Sequence, residues 1–509
     1  MGCGAVAPAW RPPGAFRRGC RFRRRSRASA PAASSSGVTS HPVVRGVSLE
    51  SFVEAASMAW EDERTGSNPS GWCDLSRAES RLLDGYDTSG VGVERRAPSS
   101  GADLRRCVAE LLVDAGFGAP WADGWLDPSW VSFLRGAEAE AVESVVAAAL
   151  RVSERPGVVV LAPYRPAWPS PRGCVRAVPS AAVALVDPAH PAHAGDVVDA
   201  LNAAEAHLGV DVGAVVLGNP SPATGVTANA AVALAASRWC ESRGAHLVAD
   251  ETAAAAVFLD GDDDDDDDDD VVASPRGASA AHLNPNPKPK KPSWGRAAGY
   301  ASTTSLWRKA RASESGWSPH AVTAFGAAGG IRRGKTSCAL ITRDDRVRAL
   351  AGTDPFAQGL QALFGDGGTA AREAFDHHGA TLRARRRFAR DALARLGVAT
   401  GPPDAAANAT RVTGRSTMKR PPAVPVLPSD GGLHVWIDLR AFAGTFEEEA
   451  TLWDRLAFTH RVLIVPGSLC GCAEPGWFRV GVAGDEDALA EGLDRLELGV
   501  RYANDTGGG

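Results

Sequence analysis

From residue 130 onward the chain alternates between short apolar runs, several rich in Val, and longer stretches with helical spacing. Residues 130–134 read as a strand and the Ala/Glu-rich 137–152 as a helix. Strands at 158–161, 210–218 and 246–250 follow, separated by helices near 196–207 and 228–242. A continuous apolar run is buried on both faces, so helices must cover the sheet on each side. Strands alternating with helices in this way predict a mostly parallel sheet, an α/β fold.

After Asp250 the order breaks. Residues 260–297 hold an unbroken Asp run at 262–270 and a Pro-Lys segment at 284–292. Like charges repel and proline removes backbone donors, so this insert is expected to be a disordered, solvated loop. A calcium loop would need spaced ligands and a turn glycine, which the Asp run lacks. A strand at 321–325 and another at 338–342 follow, with helical spacing from Arg346. The Arg-rich 370–396 reads as a long helix, on which His377 and His378 are adjacent rather than one turn apart. They are therefore assigned to a solvated helix face and not to a metal pair. A Pro/Ala-rich linker covers 401–428, and the end reads as strand 434–440, helix 446–461, strands 462–466 and 477–483, and helix 485–498. This is the pattern of a smaller α+β domain.

The chain has 509 residues, 44% of them apolar and 23% charged, which suits globular structure with more than one domain. A net charge of −5 argues against a general nucleic-acid binder. That total hides an acid-free N-terminal segment carrying nine Arg within residues 1–49. Arg- and Ser-rich, acid-poor composition is that of an organelle transit peptide. Residues 1–45 are thus expected to be a disordered leader to the chloroplast, with mitochondrion or cytoplasm as alternatives. No apolar stretch is long enough to span a membrane. Nine scattered Cys suit a reduced protein, and Cys470 and Cys472, without a second pair, are read as loop residues and not as metal ligands.

Residues 329–336 (GGIRRGKT) match the phosphate-loop pattern G-x-x-x-x-G-K-[ST]. Such a loop needs a helix starting at its Lys-Thr, whereas 338–342 reads as a strand. Nucleotide binding through Gly329, Gly334, Lys335 and Thr336 therefore stays an alternative only.

Residues 466–480 (PGSLCGCAEPGWFRV) closely resemble a segment of the pyridoxal-phosphate-dependent class I/II aminotransferases, in the 1-aminocyclopropane-1-carboxylate synthase branch. Further matches fall in the family's order. Asn68-Pro69-Ser70-Gly71-Trp72 leads into residues 75–79 (LSRAE). Gly218-Asn219-Pro220-Ser221, Ala249-Asp250-Glu251 and Gly330-Ile331-Arg332-Arg333-Gly334 follow. Together they run from about 49 to 500.

The resemblance implies a fold type I architecture. It would comprise an N-terminal arm and part of a small domain (46–125), a large cofactor-type domain (126–345) and a C-terminal small domain (346–509). It also implies a homodimer with composite sites, pyridoxal phosphate as cofactor and an amino-acid-like substrate. By position, Asp250 would hold the pyridine nitrogen, Arg332 the phosphate, and Asn219 another part of the cofactor. Arg479 would grip the substrate α-carboxylate, with Glu79 as a further substrate contact. The Schiff-base position, eight residues before Arg332, is Ala324. Alanine cannot form an imine or carry a proton. Pro222 and Ala253 stand where an Asn and a Tyr would hold the cofactor's phenolic oxygen. Glu138 stands near a phosphate-cradling Thr, and Arg165 where an aromatic is expected. The expected function is a divergent, catalytically impaired family member. The alternatives are an active enzyme recruiting Lys335 or Lys309, two of only six lysines, or the nucleotide reading.

Overall fold

The structure, a computed structural model, describes residues 38–40, 46–77, 80–82, 101–114, 126–166, 180–184, 194–228, 230–256, 302–303, 306–307, 317–326, 338–353, 357, 360–361, 364, 368–395 and 431–506. The acidic run, the Pro-Lys segment and the 401–428 linker lie outside these residues. So do Glu79, Arg332, Lys309 and the whole GGIRRGKT stretch.

The N-terminal part supplies strand β1 (Val38–Ser40), helix α1 (Leu49–Glu61), strand β2 (Cys73–Asp74) and helix α2 (Gly101–Asp114). Next come β3 (Val131–Leu134), α3 (Glu138–Ser153), β4 (Gly157–Ala162), β5 (Ser180–Ala184) and α4 (Ala194–Leu208). They are followed by β6 (Val212–Gly218), α5 (Ala230–Arg243), β7 (His246–Glu251), β8 (His320–Ala324), β9 (Cys338–Ile341) and α6 (Asp345–Leu350). The strands of this part other than β2 make one eight-stranded sheet in the order β1-β5-β4-β6-β7-β8-β9-β3. Neighbours from β5 to β8 pair in parallel, and β9 runs antiparallel to both β8 and β3.

The sheet is buried on both faces because its strands alternate between two cores, as a period of two requires. Val158, Val160, Val216 and Val248 share a buried cluster with Val142, Val145 and Val146 of α3. Val159, Leu161, Val215 and Leu247 cluster instead with Val197 and Leu201 of α4 and Trp239 of α5. Each such side chain contributes about 1.5–3 kcal/mol on burial, so these two layers dominate the stability of the sheet.

The C-terminal part holds α7 (Thr369–Arg395), β10 (His434–Asp438), α8 (Phe446–Asp454), β11 (Val462–Leu463), β12 (Val465–Pro466), β13 (Trp477–Gly481) and α9 (Glu486–Thr506). Strands β10, β13 and β12 form an antiparallel sheet over a core that includes Trp436, Trp453, Trp477 and Phe478. Strand β11 pairs in parallel with β2, which brings the 70s segment against the C-terminal elements.

Several elements differ from the sequence pattern. The helix expected over 446–461 stops at Asp454 and continues as a wide π-type turn at Arg455–Thr459. The strand expected over 462–466 divides, because the chain crosses from β2 to β13 at Ile464. The Ile464 carbonyl is then free of the ladder and accepts from Trp453 Nε1 at 2.9 Å. Strand β5 (SAAVA) was hidden by its alanines, which carry little strand signal. Strand β1 falls inside the expected leader and lies antiparallel to β5, Val38 opposite Val183. Backbone pairing, which leaves no mark on the side-chain pattern, makes it a strand.

Candidate functional site

Strands β4, β6, β7 and β8 run parallel, so their C-terminal ends lie along one edge of the sheet. The strand order turns between β4 and β6, since the chain goes one way to β5 and the other way to β6 and β7. Such a crevice is where open α/β sheets take their ligands. Arg165 follows β4, Asn219 follows β6, Asp250 lies near the end of β7, and Ala324 ends β8. A cleft at this edge is lined by Glu138, Arg165, Ala324, His378, His434 and Arg479 among others, with a cavity volume of about 40 Å³.

Arg165 fills the middle of the site. Its Nη2 lies 3.2 Å and 3.4 Å from the two carboxylate oxygens of Asp250 and 2.5 Å from Thr252 Oγ1. Its Nη1 reaches Glu138 Oε2 at 3.2 Å. Asp250 Oδ1 also accepts from the Thr252 backbone N–H at 3.2 Å and hydroxyl at 2.5 Å. Burial alone would lower the Arg165 guanidinium, but Asp250 and then Glu138 outweigh it and hold the charge above the ordinary value. Breaking such a buried pair from one side leaves the other charge stranded, at a cost of about 3–5 kcal/mol.

Arg479 is the second buried cation, only 2% exposed on β13. Its Nη2 donates to the Ser76 carbonyl at 2.8 Å and its Nη1 to that of Pro222 at 3.4 Å, while its Nε has no partner. No carboxylate of the described residues forms an ion pair with it. Burial pulls its guanidinium down to about 10, with Cys470 opposing that, Arg165 adding to it and Asp74, which is not in ion-pair contact, opposing it least, so it stays charged at neutral pH. A buried charge without a counter-charge in direct contact is costly unless something supplies one.

Two histidines complete the lining. His434 Nε2 lies 3.1 Å from the Arg77 carbonyl, so it carries the proton and donates, and burial followed by Arg479 holds the ring well below its ordinary value. His378 is fully buried, with Nε2 2.9 Å from Ser80 Oγ and Nδ1 without a partner. Burial, then His377, brings it down to about 4. The assignment of His378 to a solvated helix face is therefore corrected. The signal was present: Ala371, Ala374, Phe375, His378 and Leu382 make one helical stripe, and all five are buried.

Of the residues picked out by sequence, Asp250, Arg479 and Ala324 come together around this cleft. Asn219 is fully buried and braces its own loop, its Oδ1 accepting from the Ala228 N–H at 3.0 Å and its backbone N–H reaching the Asp250 carbonyl at 2.9 Å. Arg332 and Glu79 lie outside the described residues. Strand β9 starts two residues after Thr336, where a phosphate loop would need a helix.

Residues 325–496 match the family model "Aminotransferase class I and II". Over 77 residues the chain is 43% identical to 1-aminocyclopropane-1-carboxylate synthase 8 of Arabidopsis thaliana. Over 75 residues it is 41% identical to 1-aminocyclopropane-1-carboxylate synthase-like protein 1 of Mus musculus. Each stretch is 14% of this chain, and the chain covers only 16% and 15% of those two proteins' lengths. Residues 325–496 are thus similar to the aminotransferase class I and II family. Solved structures show its fold across nearly the whole length. Aspartate aminotransferase of Thermus thermophilus with maleate matches at a TM-score of 0.55 and 16% identity, covering 91% of this chain and 99% of that one. A Pyrococcus protein, "protein-A1", matches at 0.56 and 14%, covering 90% and 97%.

An aminotransferase of this fold type uses pyridoxal phosphate, which needs a lysine for the imine, a carboxylate at the ring nitrogen and a cradle for the phosphate. Among the described residues of this chain, position 324 has only a methyl group and lies in the cleft wall. Asp250 is already held by Arg165 and Thr252. Glu138, beside the expected phosphate position, is a carboxylate paired to the same Arg165. These residues do not fit the cofactor.

Proposed function

We propose that this aminotransferase-family chain binds a small amino-acid-like molecule through its carboxylate and does not carry out Schiff-base chemistry. Arg479 carries the reading: a buried guanidinium in the cleft, with an unpartnered Nε and no ion pair to a described carboxylate. A ligand carboxylate supplies the missing counter-charge, and charge-assisted contacts of that kind are worth about 1.5–3 kcal/mol. Four charged groups lie at the site, Arg165, Arg479, Asp250 and Glu138, and their formal charges cancel. That balance suits a zwitterion better than a dianion. The small cavity favours a short side chain.

With Ala324 in the cleft wall, no proton can be moved between ligand and cofactor carbons by that position. His378 and His434, both held neutral by burial, orient and exclude water rather than carry charge. By the family resemblance we place the protein as a homodimer, and from its Arg- and Ser-rich, acid-free composition we read the N-terminal segment as a chloroplast leader.

Calorimetric titration of the full chain with individual amino acids tests the reading. Saturable binding that Arg479→Met removes supports it, whereas no binding by any amino acid sinks it. A borohydride-stable pyridoxyl group on Lys335 or Lys309 after incubation with pyridoxal phosphate would favour the active-enzyme alternative.

A further inference from the structure

We infer that this chain excludes pyridoxal phosphate from its own cleft, because its side chains replace both charged ends of that cofactor in kind. The positive end, the protonated ring nitrogen, is replaced by Arg165. Asp250 Oδ1 accepts from the Thr252 hydroxyl at 2.5 Å, the Thr252 N–H at 3.2 Å and Arg165 Nη2 at 3.4 Å, and the same Nη2 covers Oδ2 at 3.2 Å, so the guanidinium stands where a ring nitrogen would approach. A pyridinium would have to displace a guanidinium that is itself 8% exposed and has nowhere described to go.

The negative end, the phosphate, is replaced by glutamates in the first turn of α3. Glu140 Oε2 accepts from the Ala137 N–H at 3.1 Å, which satisfies a donor that a phosphate would use. Glu138, two residues earlier, sits 3.2 Å from Arg165. A phosphate arriving there meets two carboxylates where the fold would otherwise offer bare helix N–H groups.

The replacements lock one another. Arg165 bridges Asp250 and Glu138, so the cation that blocks the ring nitrogen is anchored by the anion that repels the phosphate. Changing either residue alone strands a partner. This inference is independent of carboxylate binding by Arg479, which enters from β13 and takes no part in the bridge.

The test titrates the full chain with pyridoxine phosphate, which carries the ring and phosphate but no aldehyde, and reads ring fluorescence. Wild type is expected to show no saturable binding. Arg165→Gln/Glu138→Thr frees Asp250 and removes the anion, and is expected to gain roughly 100-fold in affinity. Adding Asp250→Asn to that variant is expected to remove the gain. Arg165→Lys, a point charge that cannot span both carboxylates, gives a milder second variant with a gain of roughly tenfold. Saturable binding by wild type as tight as that of the double variant overturns the inference, whatever the variants' folding. So does a double variant that melts like wild type and gains nothing. Amino-acid titration of the same samples separates the two readings, since its failure bears on Arg479 alone.

Discussion

Arg479 offers the sharpest test, because its two roles pull stability and binding in opposite directions. Burial brings the guanidinium down to about 10. A tenfold change in proton affinity is about 1.4 kcal/mol, so the fall of more than two decades sets the cost of holding this charge at about 3 kcal/mol. Arg479→Met keeps the length and apolar stem but removes the charge. It also gives up the charge-assisted 2.8 Å bond to the Ser76 carbonyl, worth about 1.5–3 kcal/mol; the 3.4 Å contact to Pro222 adds little. The net expectation is a variant no less stable than wild type, ahead of it by about 0–1.5 kcal/mol, measured by urea unfolding without ligand. Its amino-acid affinity falls roughly 10- to 150-fold, the worth of one charge-assisted contact. Functional sites characteristically give up stability in this way. A variant less stable than wild type, or one that binds amino acids unchanged, refutes the reasoning.

Three further outcomes follow from the same geometry. His378 is held at about 4 against an ordinary 6.5, so the unfolded chain takes up its proton first as pH falls. Stability is complete above 6.5 and drains toward pH 4, by about 3 kcal/mol from this group, and His378→Gln is expected to remove that share in a pH series of urea unfolding curves. Glu449 is fully buried and accepts from the Ser468 N–H at 3.3 Å and the Gly476 N–H at 2.6 Å, tying the 467–476 loop to α8. Glu449→Ala orphans both donors and is expected to cost about 3 kcal/mol, whereas an unchanged unfolding midpoint would show that water replaces the carboxylate. Ala324→Lys alone is expected to give no borohydride-stable pyridoxyl peptide at position 324, because Asp250 remains occupied by Arg165.

How far the sequence could be read depended on what kind of force makes each element. The runs around Val158–Val160, Val215 and Val248 declared themselves as strands because burial on two faces leaves no polar position. The C-terminal stretch ending in Trp477-Phe478-Arg479 carried the family resemblance through its residues, and Arg479 lines the cleft. Strand β5 and the division at Ile464 were not legible, since both are set by pairing with distant strands rather than by local pattern. Arg165 was visible only as an odd residue at an aromatic position. Its meaning lies in Asp250 and Glu138, 85 and 27 residues away, and no spacing rule joins three such positions. His378 was misjudged for a different reason: attention to adjacent histidines as a metal pair hid the apolar stripe to which one of them belongs.

The departures from the family pattern are easier to understand together than one at a time. Without an amine at 324, a cofactor would be held only by contacts, and the carboxylate of Asp250 would be buried with an intermittent partner. A buried anion of that kind is among the costliest features a core can keep. An arginine at 165 resolves it permanently, and a glutamate at 138 gives that arginine's other amino group a partner. Once those charges are joined, restoring Ala324→Lys gains nothing, because the ring nitrogen has no carboxylate left to meet. Arg479 stands outside this closed set, still charged and still short of a partner. If the cleft had lost every ligand, the same physics should have removed or neutralised Arg479 as well. Its retention in the buried site, at a cost of about 3 kcal/mol, is the reason for assigning the cleft a carboxylate ligand.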